Sequence, residues 1–114
     1  IVMMAHIRFS RLDERPASLS PVLVDDLLRS ELGFCGVVLT DDLIMKAITD
    51  HYSIGEAAVM AIEAGCDLVL VCHDVAKVYL VRDALLDAVL SGRLSETRID
   101  ASLERIVQAK RRLP

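Results

Sequence analysis

The chain has 114 residues, a formal net charge of -4 and 54% hydrophobic residues. That length suits one domain, and so apolar a composition supplies a core and argues against disorder. The mild negative charge gives no electrostatic reason to expect nucleic acid or an anionic membrane, and an aromatic content of 4% leaves little for base stacking.

The first predicted element is a strand, "IVMMAHI" (Ile1 to Ile7). It is short, continuously apolar and without strict alternation, as strands buried on both faces of a parallel sheet are. It has no basic leader and does not read as a signal peptide. No apolar run nears the roughly 20 residues of a membrane span. The chain opens in mid-strand on a residue other than Met, so it is expected to be a piece of a longer protein.

The loop "RFSRLDERPASLS" follows, with "DERP" as a polar tip. Ser20 then caps a helix that has Pro21 at its first position; Val24, Leu27, Leu28 and Leu32 share its apolar face, and Gly33 stops it. The second strand is "CGVVLT" (Cys35 to Thr40), which ends in two aspartates and a second long loop, "DDLIMKAITDHYS". The next helix opens on "SIGE", where Ser53 and Glu56 have the spacing of a capping box. Ala57, Met60, Ala61 and Ala64 line its inner face, and Gly65 ends it. The third strand is "CDLVLVC" (Cys66 to Cys72). Val78, Val81, Leu85, Ala88 and Val89 then carry a helical period up to Gly92. Ser95 opens a last helix with Ile99, Leu103, Ile106 and Val107 inward, and its "KRR" end sets positive charge against the negative end of the helix dipole.

Strands alternating with helices imply right-handed crossovers and a parallel sheet, hence an α/β fold. Both long loops follow the carboxyl ends of strands, where such folds build their sites. Asp41 directly ends the second strand, so its carboxylate can act as nucleophile, base or metal ligand; one of the pair can equally cap the short helix in "LIMKAI". The reactive position goes to Asp41 and the capping one to Asp42. His6 ends the first strand and also reaches the mouth, either as a ligand-facing group or as a satisfied loop histidine. Met45 can form an apolar wall there or simply pack. His51, His73 and Lys46 read as surface residues. Cys35, Cys66 and Cys72 are odd in number and lie beside apolar runs, which points to buried thiols in a reducing compartment and a cytoplasmic location. No cysteine or histidine spacing suggests a metal, and no glycine-rich loop suggests a phosphate cofactor.

Taken in order, "MMAHIRFSRLDERPASLSPVLVDDLLRSELGFCGVVLTDDLIMKAI", "EAAVMAIEAGCDLVLVC" and the late "S..RI..S..RI...K" resemble family 3 glycoside hydrolases, in the β-N-acetylglucosaminidase (β-hexosaminidase) branch. The resemblance covers essentially the whole chain. It implies a (β/α)8 TIM-type barrel, which typically needs about 250 residues. Residues 1–114 would be a single fragment, the C-terminal part of that catalytic domain, with about three parallel strands and flanking helices. It also implies that Asp41 is the catalytic nucleophile of a retaining hydrolase of β-linked N-acetylglucosaminides, with peptidoglycan fragments as the expected source and with no cofactor. His6 and Met45 would be substrate-binding residues. The branch's "D.H" proton-donor motif and "KH.PG" sugar-binding motif do not occur in this sequence. The isolated chain is therefore expected to be inert, and to cover its open strand edges by self-association. The alternative is a small receiver-like signalling or binding domain, with "VVLTDD" as a phospho-acceptor strand.

Overall fold

The computed structural model describes residues 1–112. Its centre is a parallel three-stranded sheet in the order β1-β4-β5, formed by β1 (Val2–Met4), β4 (Val38–Asp42) and β5 (Leu68–Leu70). The three expected strands are present, shorter than the apolar runs that signalled them. Val2, Met3 and Met4 pair with Val38, Leu39 and Thr40. Leu39 pairs with Leu68 and Asp42 with Leu70, so β4 spends one more residue than β5 over the same stretch. That extra residue is a bulge, a device that re-aims side chains at the end of a strand.

"DERP" is not a loop tip. It forms strand β3 (Asp13–Pro16), which pairs antiparallel with β2 (Arg8–Phe9) as a hairpin over the end of β1. Its brace is Asp13, which accepts from the Arg15 side chain at 3.0 Å and from the Ser20 hydroxyl at 2.6 Å. Arg15 first, and Ser20 with it, outweighs burial and holds the Asp13 carboxyl down at about 2.

A 3₁₀ turn (Ala17–Leu19) leads into the first helix, where the Ser20 hydroxyl accepts from the Leu23 N–H at 3.2 Å, as its position suggested. The helix (Val22–Glu31) is a π-helix rather than an α-helix: the Leu32 N–H reaches the Leu27 carbonyl, five residues back, at 2.9 Å. The wider turn changes which side chains share a face. Leu32, expected inward, is 67% exposed, while Arg29 turns in toward the chain's interior. Gly33 ends the helix at φ 69°.

Helix α1 (Lys46–Thr49) is a single turn after β4, and α2 (Ile54–Ala64) is the central helix. Ser53 caps α2 through the Glu56 N–H at 3.3 Å. The box stays half made, because the Glu56 carboxylate instead binds Arg93 at 2.7 Å. Helix α3 (Val75–Leu90) crosses α2 so closely that a Cβ on Gly55 would lie 2.9 Å from the Ala84 side chain. Ala57, Ala58, Ala61 and Ala64 of α2 join Leu19, Val24, Val38, Leu43, Ile48 and Val81 in one core. This core covers one side of the sheet, the side that Val38 and Thr40 face, and both are fully buried. Their neighbours Leu39 and Asp41 alternate to the other side. There Met3 and Leu68, in register with Leu39, are 54% and 41% exposed. No described helix is long and apolar enough to cross a membrane.

Helix α4 (Glu96–Arg111) docks by a route that apolar periodicity did not anticipate. Leu103 and Val107, expected inward, are 52% and 44% exposed, and Val78 of α3 is likewise exposed. The inner face of α4 carries Arg98, Ser102 and Arg105, and it closes on Asp67 at the amino-terminal end of β5. The Asp67 carboxylate is fully buried and is met by Arg29 at 2.7 Å, Arg105 at 2.8 Å and the Ser102 hydroxyl at 2.8 Å, with Arg98 at 3.7 Å. It also accepts from the Val38 N–H at 3.0 Å. Burial alone would raise its pKa. Arg105, the Val38 N–H, Ser102 and Arg29 outweigh that and depress it.

Removing one partner of a buried, hydrogen-bonded charge cluster leaves the others uncompensated, so Asp67→Ala is expected to cost about 3–5 kcal/mol in urea unfolding. The folded pKa lies below the unfolded one. The contribution of Asp67 is therefore complete above the unfolded value of about 3.9 and is lost as pH falls through the lower folded value. A loss under about 1 kcal/mol would show the cluster to be no stronger than a surface ion pair.

Candidate functional site

Because β1, β4 and β5 are parallel, their carboxyl ends open at one mouth, onto the hairpin, the α1 turn and the residues after β5. Asp41 stands there, half-buried near the end of the central strand. One carboxylate oxygen accepts from the N–H of Asp42 at 2.7 Å. Among the described residues no ion pair occupies it.

Asp42 is used differently. Its Oδ1 accepts from the N–H groups of Ile44 and Cys72, each at 3.1 Å, which closes the turn after β4 and ties it to the end of β5. The expected helix cap is not what it forms: α1 has Met45 at its N-cap position and no side-chain cap bond. The bulge explains the difference. Where β4 and β5 fall out of register, side chains of β4 replace its carbonyls as acceptors, Thr40 Oγ1 for the Leu70 N–H at 3.1 Å and Asp42 Oδ1 for the Cys72 N–H. Desolvation would raise the pKa of Asp42, but the N–H groups of Ile44 and Cys72, with Cys72 and His73 beside it, lower it overall. A carboxyl held ionised in this way cannot donate a proton to a leaving group at neutral pH.

His6 reaches the mouth from the end of β1 and is half-buried. Its Nε2 lies 3.0 Å from the Asp42 carbonyl oxygen and its Nδ1 lies 2.7 Å from the Ser18 hydroxyl. A carbonyl only accepts, so Nε2 carries a hydrogen and donates to Asp42, while Nδ1 pairs with the Ser18 hydroxyl, which can donate or accept. Both nitrogens are taken up inside the protein, which leaves neither free for a ligand. Ser18 is fully buried in the 3₁₀ turn.

Met45 is 45% exposed beside the turn, and its N–H donates to the Asp42 carbonyl at 3.1 Å. Lys46 and His51 are exposed, as expected. His73 is exposed too, but it sits at the mouth, close enough to help lower the pKa of Asp42, with its backbone in the left-handed region at φ 62°. Only its position after the third strand could have signalled this. Cys72 also lies at the mouth, and desolvation, with the Asp42 and Asp41 carboxylates, pushes its thiol up. Of the three cysteines Cys66 is buried and Cys72 partly so, whereas Cys35 is exposed, contrary to expectation. Among the described residues no three His, Cys, Asp or Glu side chains gather as a metal site. Two clefts, of about 390 Å³ between α2 and α3 and about 350 Å³ beside Arg105 and Arg112, lie away from the mouth and contain none of its residues. The mouth therefore presents one carboxylate with a single local hydrogen bond on an open surface, next to a second carboxylate whose Oδ1 holds two backbone N–H groups.

The family described as "Glycosyl hydrolase family 3 N terminal domain" matches residues 1–109. A β-hexosaminidase of Idiomarina loihiensis is 41% identical over 87 residues, which span 76% of this chain and 26% of that protein. One of Hydrogenovibrio crunogenus is 37% identical over 100 residues, 86% of this chain and 27% of that protein. The solved structure of a family 3 β-N-acetylglucosaminidase from Paenibacillus sp. FPU-7 superposes with a TM-score of 0.94 at 49% identity, over 96% of this chain and 21% of that one. The chain thus spans about a quarter of the curated relatives it matches.

Proposed function

Because this chain belongs to glycosyl hydrolase family 3, we propose that it is the nucleophile-bearing part of the catalytic domain of a retaining β-N-acetylhexosaminidase, one that removes terminal β-linked N-acetylglucosamine. The observation that carries this is the contrast between the two aspartates at the end of β4. Asp42 holds two backbone N–H groups, of Ile44 and Cys72, on its Oδ1, while Asp41 has a single local hydrogen bond, to the N–H of the next residue; neither has an ion pair among the described residues.

In the proposed reaction a carboxylate oxygen of Asp41 attacks the anomeric carbon and forms a glycosyl ester as the bond to the leaving oxygen breaks. The leaving oxygen takes a proton from a general acid. The N–H groups of Ile44 and Cys72 hold Asp42 in its ionised form, so that acid is proposed to come from outside these residues. Water, deprotonated by the same group in its basic form, then cleaves the ester and releases the sugar with its original anomeric configuration. Met45 offers an apolar wall beside the sugar. The three free cysteines suit a reducing cytoplasmic setting, with cell-wall fragments as the source of substrate. No observation favours the receiver-like alternative.

In the full-length protein, Asp41→Ala should lower kcat on an aryl β-N-acetylglucosaminide by about 10⁴-fold or more, and ¹H NMR should show the β-anomer of the free sugar forming first. Normal turnover of the variant, or the α-anomer appearing first, would remove Asp41 as a nucleophile.

By itself the 114-residue chain is expected to be inert and to self-associate, because among the described residues one side of its parallel sheet is largely uncovered and β1 and β5 each have an unpaired edge. Sedimentation velocity should detect dimers or larger species. A monomer with one sharp unfolding transition would contradict this.

A further inference from the structure

We infer that His6 is a positioning residue for Asp41, acting through the backbone of Asp42 rather than by touching the sugar. This rests on the nucleophile assignment proposed above. Asp42 is gripped from several sides. Its carboxylate is bonded by Ile44 and Cys72, and its carbonyl receives Nε2–H of His6 at 3.0 Å and the N–H of Met45 at 3.1 Å. Its own N–H is the group that orients the Asp41 carboxylate, at 2.7 Å.

The His6 contact differs from the others in its origin. Ile44 and Met45 belong to the same turn, and Cys72 follows β5. His6 alone brings in the end of β1, and it is anchored in turn to Ser18, a hydroxyl with no exposure to solvent. The series Ser18, His6, Asp42, Asp41 therefore ties the proposed nucleophile to both neighbouring strands. A bulged strand end has lost part of its ladder and needs such a tie to keep one orientation. The ring suits the task because its two nitrogens can accept from a hydroxyl and donate to a carbonyl in the same plane.

The test uses the full-length protein. His6→Ala should lower kcat by about 10²-fold with KM nearly unchanged, since a misplaced nucleophile slows attack without weakening sugar binding. His6→Gln, whose side-chain amide can still donate to the Asp42 carbonyl, should recover much of the loss, and His6→Leu should not. A rise in KM at constant kcat, or no recovery by Gln, would overturn the inference in favour of a sugar contact or a packing role. A second readout does not depend on turnover. ¹⁵N NMR of the imidazole should show a proton on Nε2 that exchanges slowly with water, and Ser18→Ala should speed that exchange. A ring protonated at Nδ1, or a fast-exchanging Nε2 proton, would sink the inference even if Asp41 proved to be the nucleophile. Conversely, failure of the Asp41 assignment alone would leave the NMR signature intact.

Discussion

Three guanidinium groups closing on one buried carboxylate set the frame on which everything else in this chain depends. Asp67 lies at the amino-terminal end of the sheet, and its partners come from the π-helix and from α4. The same arginines also bond backbone carbonyls at the end of α2 and the start of the strand that follows: Arg29 donates to Gly65 at 2.8 Å, and Arg98 donates to Cys66 at 2.6 Å and to Ile62 at 3.1 Å. A sheet with one bare side cannot rely on apolar burial alone to keep its strands in register. The ionic cluster supplies a fixed point at the end where no chemistry is proposed. The opposite end is then free to hold groups arranged for reaction, the division of labour usual in barrels of parallel strands.

At the mouth, adjacent residues of the same type are put to opposite uses. The ladder between β4 and β5 is bulged, and side-chain oxygens of Thr40 and Asp42 accept from the N–H groups of Leu70, in β5, and of Cys72, just after it. Asp42 thereby becomes part of the framework, and its lowered pKa follows from those bonds. Asp41 is left with one short hydrogen bond that directs its carboxylate and leaves an oxygen available. The difference between a structural and a reactive aspartate is thus a matter of where the ladder breaks.

Much of the fold was legible in the sequence because it rests on local signals. The three apolar β-branched runs became the three parallel strands, and Ser20, Ser53 and Ser95 each cap the helix they precede. What escaped depended on contacts between residues far apart in the chain. Leu103 and Val107 have a proper helical period, yet α4 turns Arg98 and Arg105 inward because a buried charge far earlier in the chain, 38 residues before Arg105, attracts them more strongly than burial of two side chains rewards. The change of phase in the π-helix, which carries Leu32 outward and Arg29 inward, has the same partner behind it. "DERP" looks polar and loop-like by composition, and only its pairing with Arg8 and Phe9 makes it a strand. Asp41 was identifiable by its place at the end of a strand. The service that Asp42 gives to Cys72, 30 residues on, had no local sign.

The most direct measurement is covalent trapping. A 2-acetamido-2-deoxy-5-fluoro-glucosyl fluoride should form a stable ester with the full-length protein, and mass spectrometry of the peptides should place the sugar on Asp41. A label on any other residue, or none under conditions where the protein turns over substrate, would contradict the account.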